Sequence, residues 1–461
     1  MPNRPAKYQT NGIDIGFWLS VIAGACILLL PALYNGYPLM NTDDGTYLWS
    51  GFFPGTPVDR PIAYGLFIRL TSLNGVTLFL TAIAQCLLVS CLILKVFSSI
   101  LAGFKYRLPA IISILLLSFC SSVAWISSEI LPDVCTSIAL LSLYLIMLQK
   151  ESRVVTVFLF FVYTLCIATH MSHLLIFSTV LLMVFLFRKK LFQPAQLKVA
   201  TYRMSLALVL TISCVFTMGY AISQSKHVFA MGALLEQGVL TKYLDVKCPT
   251  EHYKICNYKD VLAQNPNPNY FLWSPESPLY VTGGWEKNKT EYSKIVWQAT
   301  IEPQFAWLRI KGSLASTWKQ ALEFGVGDGN VPFKAPVEGA LNNYIKRDLP
   351  VYQASRQYNG KLLQVVDVPN ILSKIAVVVS VITLLLLIPV LLKKNQAFVL
   401  FAAIAVPGVI INTWVCATFA QINGRYGCRA MWLLPLTALL SVWLWKAYRE
   451  ERKRILVSKN V

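Results

Sequence analysis

Apolar residues run along this chain in long stretches, without the strict alternation of a half-buried strand. A membrane-spanning helix needs about 20 mostly apolar residues, because the hydrocarbon core is roughly 30 Å thick. About ten stretches come near that length: residues 16–34, 74–94, 108–126, 134–148, 154–168, 172–187, 204–222, 371–392, 397–419 and 430–445. The fourth, fifth and sixth are short. The first is not expected to be a cleaved leader, since it is long and no small-x-small site follows it. The pattern predicts an all-α polytopic membrane protein.

The polar residues between these stretches give an orientation. One set of connections holds Arg4 and Lys7, then Lys95, Lys105 and Arg107, then Lys150 and Arg153. It continues with Arg188, Lys189, Lys190, Lys198 and Arg203, then Lys393 and Lys394, and ends in the basic tail 446–459. Every second connection belongs to this set. Cytoplasmic loops collect Lys and Arg, so both termini are expected to face the cytoplasm.

Composition agrees with that class. The 461 residues are 56% hydrophobic and 14% charged, where a soluble domain carries about 25% charged residues. An ordinary cytosolic enzyme and a disordered chain are both excluded. The net charge of +19 suits anionic headgroups better than nucleic acid. No basic stretch carries the interleaved aromatics of a single-strand binder, so no nucleic-acid partner is expected.

The opposite face is different. Its loops are 35–73, 127–133, 169–171, 223–370 and 420–429, and they hold nearly all the unusual polar residues. Three parts follow: an N-terminal membrane module, 1–222, with a catalytic first outer loop; an extracytoplasmic loop domain, 223–370; and a C-terminal membrane module, 371–461. The loop domain contains five of the twelve tryptophans. Its Cys248 and Cys256 are expected to pair on an oxidising face. Residues 301–324 alternate apolar and basic positions with helical spacing, which suits a helix in the headgroup plane or a soluble amphipathic helix.

The first outer loop reads Asn41-Thr-Asp-Asp-Gly. Asp43 and Asp44 are candidates for a general base, since partial desolvation strengthens a carboxylate as a base. Adjacent side chains point apart, so one of the two should reach a given site. Helix capping is the plainer role for Asp43. Asp59-Arg60-Pro61 offers a phosphate-binding fork in Arg60, with Asp59 as its partner or as a helix cap. Glu129 and Asp133 flank a proline at the end of the third span. Ionisable residues near membrane depth are costly and usually functional. His170 and His173 lie three apart, so they share a face if helical; they can hydrogen-bond substrate or bind a divalent cation. No cofactor beyond that cation is suggested. Arg425 and Arg429 lie on the outer face against the positive-inside trend, which points to an anionic ligand.

Together these clusters suit a lipid-linked phosphate donor and a hydroxyl acceptor. Arginine offsets the charge of the leaving phosphate, and a carboxylate takes the proton of the attacking hydroxyl. An acidic pair just after the first span, charged motifs in later outer loops, and Arg425-Tyr-x-x-Arg before Leu-Pro resemble the GT-C superfamily. These are integral-membrane glycosyltransferases that use polyprenyl-phosphate sugars. The resemblance implies an inverting transferase that passes the sugar to a surface glycan or lipid. It places the base on Asp44 or Asp43 and leaving-group stabilisation on Arg425 or Arg429. It also implies a bacterial cytoplasmic membrane with the active face toward the periplasm. The large outer domain departs from the many relatives that carry a soluble domain at the C-terminus. A multi-pass transporter or lipid flippase is the rival reading, and it predicts charges lining a path near the midplane. A non-catalytic envelope partner that binds through the long loop is a third.

Overall fold

The computed structural model describes residues 14–217, 219–332 and 335–459. Arg4 and Lys7 lie outside the described residues. Those described form helices and connections without a strand; one isolated parallel bridge joins Leu39 and Glu129. Five helical stretches are long and apolar enough to cross a membrane: Leu78–Ile100, Pro194–Cys214, Asp367–Leu391, Gln396–Phe419 and Gly424–Ser458, the last made of the consecutive helices Gly424–Met431 and Leu433–Lys459. Five shorter apolar helices join them: Ile15–Leu28, Arg107–Cys120, Val134–Leu148, Arg153–Ala168 and His173–Leu186.

Local chemistry explains several of the short ones. Ile15–Leu28 gives way to a second helix, Leu30–Asn35, whose Pro31 sits in the first turn. Proline is tolerated there because the first-turn N–H groups have no intrahelical partner. Arg107–Cys120 breaks at Ser121, which is extended, and the chain re-enters a helix at Val123–Ser128. Val134–Leu148 stops at Gln149, which is left-handed with φ 63°.

Other boundaries shift. The helix predicted to begin near 204 begins at Pro194, because Lys198 and Arg203 are good helix formers and do not end it. The last helix, Leu433–Lys459, carries on through the basic tail for the same reason.

Val134–Leu148 is buried on every side, so it is the central post of the bundle. Around it the chain sorts into two ends. At one end the basic connections meet: Lys95 pairs with Glu151, the Asn395 amide donates to the Ile100 carbonyl, and the Gln396 amide donates to that of Leu191. At the other end residues 39–44, 129–133, 170–172 and 423–429 meet.

The stretch 223–370 divides between two cores. Met231, Leu235, Tyr243, Phe271, Tyr292 and Ile295 belong to a separate apolar cluster. Cys248 and Cys256 form a disulfide beside it. Val337, Leu341, Ile345 and Tyr352 instead join the main core. They pack the helix Ala335–Tyr344 against Asp44–Phe52 of the first outer loop. Asp348 completes that seam by accepting from the Tyr37 hydroxyl at 2.7 Å and the Leu78 N–H at 2.8 Å.

Candidate functional site

Asp43 precedes the helix Asp44–Phe52 in the capping position, yet its carboxylate makes no cap bond. It is held by two arginines. Oδ1 lies 3.1 Å from Arg60 Nη1, and Oδ2 lies 2.9 Å from Arg425 Nη1. Arg60 is gripped in turn by Asp59, at 2.7 Å from Nη2 and 3.0 Å from Nε. Asp59 therefore caps no helix; the next one begins at Ala63, past Pro61.

Arg425 Nε lies 3.1 Å from Asp133 Oδ2, and Arg429 Nη1 lies 3.4 Å from Asp133 Oδ1. The first of these is an ion pair without hydrogen-bond alignment, since both atoms lack a directed partner. Asp59, Arg60, Asp43, Arg425, Asp133 and Arg429 thus form one chain of alternating sign. Its charges cancel in place, which is how buried charges are tolerated. Arg425 and Arg429 share a face because they lie four apart on the helix Gly424–Met431. Asn423 caps that helix by accepting from the Arg425 N–H at 2.8 Å.

Arg429 is fully buried and spends its donors on structure. Nε donates to Asn412 at 2.8 Å, and Nη2 to Ser172 at 2.9 Å and to the Cys416 sulfur at 2.7 Å. Tyr426 lies under both guanidinium groups, its ring centroid 5.4 Å from Arg425 and 5.2 Å from Arg429. Tyr47 lies 5.1 Å under Arg60.

The two histidines do not converge as cation ligands. His170 lies ahead of the helix His173–Leu186, with Nδ1 2.9 Å from the Ser172 hydroxyl and Nε2 3.4 Å from Arg429. Burial and then Arg429 push its pKa well below the ordinary value, so it is neutral. Both ring nitrogens of His173 are committed, to Thr136 at 2.8 Å and the Cys166 carbonyl at 2.7 Å. Among the described residues no three His, Cys, Asp or Glu side chains are grouped to hold a metal ion.

Asp44 faces the other way. It is fully buried and accepts from the Asn41 N–H at 2.6 Å, while its Oδ1 has no hydrogen-bond partner. Glu129 accepts from the Asn330 amide at 2.8 Å and so diverges from Asp133. Burial, with Glu129 and Asp43 nearby, raises the Asp44 pKa well above the carboxylate range. Burial, then Asp133, pushes Glu129 up to about 7. Asp43 is the opposite case. Burial alone would raise it, but Arg60 and Arg425 outweigh burial and hold it well below the usual range.

Two cavities meet at the ion chain, and Asp43, Asp59, Arg60 and Arg425 line both. One, of about 310 Å³, has a mainly apolar wall that includes Leu174, Leu175, Val415 and Phe419. The other, of about 620 Å³, is walled by Asn41, Thr42, Asn269, Asp328, Gln421 and Asn423. Phe229 and Trp273 stand between them, lining both. These loop-domain aromatics and Asn269 carry no sequence motif, whereas Asn41 and Asn423 flank the charged motifs. Only proximity in space marks the aromatics and Asn269.

No protein-family model matches this chain, and no curated protein or solved structure matches it.

Proposed function

We propose that this protein is an integral-membrane glycosyltransferase of the GT-C kind. It moves a sugar from a polyprenyl-phosphate carrier to a hydroxyl of a cell-surface glycan or lipid. The observation that carries the reading is the meeting, at Arg60, Asp43 and Arg425, of a mainly apolar cavity and a larger one lined by polar side chains and aromatic rings. A donor that is isoprenoid at one end and sugar at the other, with phosphate between, has the same division.

In this reading the ten apolar helices all span, and both termini are cytoplasmic. The basic connections meet at one end of the bundle and the ion chain at the other, which supports that orientation. The site then faces the periplasm of a bacterial cytoplasmic membrane. A transporter needs a path between both faces; the ion chain instead sits at helix ends, at one mouth.

The mechanism is a competition for two arginines. The carrier phosphate takes Arg60 and Arg425, whose fork geometry suits phosphate oxygens. Asp43 is displaced and loses the charges that keep it a weak base. It then accepts the proton of the acceptor hydroxyl. That oxygen bonds to the anomeric carbon from the face opposite the phosphate, so configuration inverts. The carbon–oxygen bond to phosphate breaks, and the electron pair leaves on the phosphate against the arginines. Asp59 and Asp133 orient Arg60 and Arg425. No step is routed through a cation.

The test is a transfer assay. Protein in lipid nanodiscs receives radiolabelled polyprenyl-phosphate sugars and envelope acceptor, with Asp43→Asn alongside. Transfer by the parent and its loss in the variant is the expected result. No transfer from any common donor, with intact protein, defeats the reading.

A further inference from the structure

The helix Pro303–Leu322 is built inside out. Its inward positions are Phe305, Arg309, Ser313, Ser316 and Gln320, all buried and four of them polar. Its outward positions are Trp307, Ile310, Leu314, Trp318 and Leu322, exposed by 58, 51, 64, 69 and 54%. In water the hydrophobic effect sorts side chains the other way. The neighbouring helix Val239–Lys247 follows that rule but for the exposed Val246: Val239, Leu240, Tyr243 and Leu244 point in, and Lys242 and Asp245 point out.

Against hydrocarbon the sorting reverses, because lipid is as apolar as leucine, and small or polar residues collect where helices touch. The helix Asp367–Leu391 shares this pattern in part, with Ser373 and Ser380 inward beside Leu384 and Leu391, and Ile375, Val379, Ile382 and Leu386 outward.

The polar face of Pro303–Leu322 is satisfied at the outer end of the bundle. The Ser313 and Thr418 hydroxyls are 2.6 Å apart. Gln320 donates to the Asn423 carbonyl and accepts from the Asn423 N–H, each at 2.9 Å. Thr418 belongs to the last turn of the long apolar helix Gln396–Phe419. The helix that carries the outward apolar stripe is therefore docked, by its polar face, on a helix long and apolar enough to span. Lys311 and Lys319 are exposed beside the stripe, and the Lys311 ammonium lies 5.2 Å over the Trp307 ring. Basic side chains of this length reach headgroups while their stems stay apolar, and tryptophan favours the same boundary.

We propose that outer-leaflet lipid covers the outward face of Pro303–Leu322, from Trp307 to Leu322. Through Gln320 and Asn423 the leaflet then supports the helix that carries Arg425. This inference takes its orientation from the proposed function but none of its chemistry, and its test measures no activity.

The full chain is placed in lipid nanodiscs with p-benzoylphenylalanine replacing Leu314. The same replacement of Val381, outward on Asp367–Leu391, and of Lys242 supplies the two references. After illumination, lipid adducts are counted by mass spectrometry. The expected result is adducts at 314 in yield comparable with 381 and several-fold above 242. A yield like that at 242 overturns the proposal, as does crosslinking mainly to a second polypeptide. A second measurement needs no photoreactive group. Quenching of tryptophan emission by brominated phospholipid should fall in Trp307→Phe/Trp318→Phe. Unchanged quenching overturns the proposal equally.

Discussion

Asp43 and Asp44 are neighbours in the chain and sit in opposite electrostatic regions. Asp43 lies between Arg60 and Arg425, at the junction of two cavities. Asp44 lies in a knot with Asn41, near Glu129, and makes no ion pair with a guanidinium. Asp44 is fully buried and Asp43 mostly so, its side chain 22% exposed. What differs is the counter-charge. With two arginines at ion-pair distance the Asp43 carboxyl is held below the usual range despite burial; with none that close, burial raises that of Asp44. In the proposed mechanism the first region exchanges its ion pairs for a phosphate. The second has nothing to exchange and ties loops together: the Asn330 amide bridges the Met40 carbonyl and Glu129, and Gln357 accepts from the Met40 N–H.

The sharpest way to break this contrast is Asp43→Asn. It keeps the shape and removes the base, so transfer should fall by roughly 10²–10⁴-fold, with normal protein level. Activity near the parent value would end the assignment. Next is Arg425→Lys, which keeps a charge but loses the fork that reaches Asp43 and Asp133 together. We expect a loss of about 10²-fold in the same assay.

The second region is tested by pH. The Glu129 pKa is raised in the folded protein, from 4.5 to about 7, so the native state binds its proton more tightly than the unfolded state. Stability is full below about pH 4.5 and declines as pH rises to about 7. Glu129→Gln removes that decline, up to ~3 kcal/mol. Its melting temperature in nanodiscs should exceed the parent value at pH 8 and not at pH 4. Equal shifts at both pH values would show that folding does not raise the Glu129 pKa.

Smaller effects follow. Opening the disulfide in Cys248→Ser/Cys256→Ser should cost about 2–3 kcal/mol, read as faster proteolysis between 226 and 305, with transfer little changed. The smallest is Asp44→Asn. It imitates a carboxyl that is already neutral and keeps an acceptor for the Asn41 N–H, so transfer should stay within about threefold. A loss as deep as that of Asp43→Asn would reverse the roles of the pair.

Much of the helical layout was legible. Long apolar runs can only be helices in a bilayer, where every backbone group needs an internal partner, and apolar helices cover most of each expected run. Boundaries were less legible. Pro31 and the Ser121–Ser122 step split two runs, and Lys198 and Arg203 lengthened a third. The charged motifs were visible, but their partners were not. Glu129 and Asp133 look like one motif and face different regions. His173 looks like a ligand and is locked between Thr136 and Cys166. The 301–324 segment showed amphipathic spacing, and spacing alone could not say which face turned in.

By itself, then, the sequence determined which segments are helical and apolar, and which loops carry acids and arginines, because these follow from local composition and periodicity. Only the tertiary structure decided that Asp59, Arg60, Asp43, Arg425, Asp133 and Arg429 form one chain, and that Asp44 stands outside it. Ion pairing depends on distances of a few ångströms between residues up to 382 positions apart, and no local pattern encodes that separation.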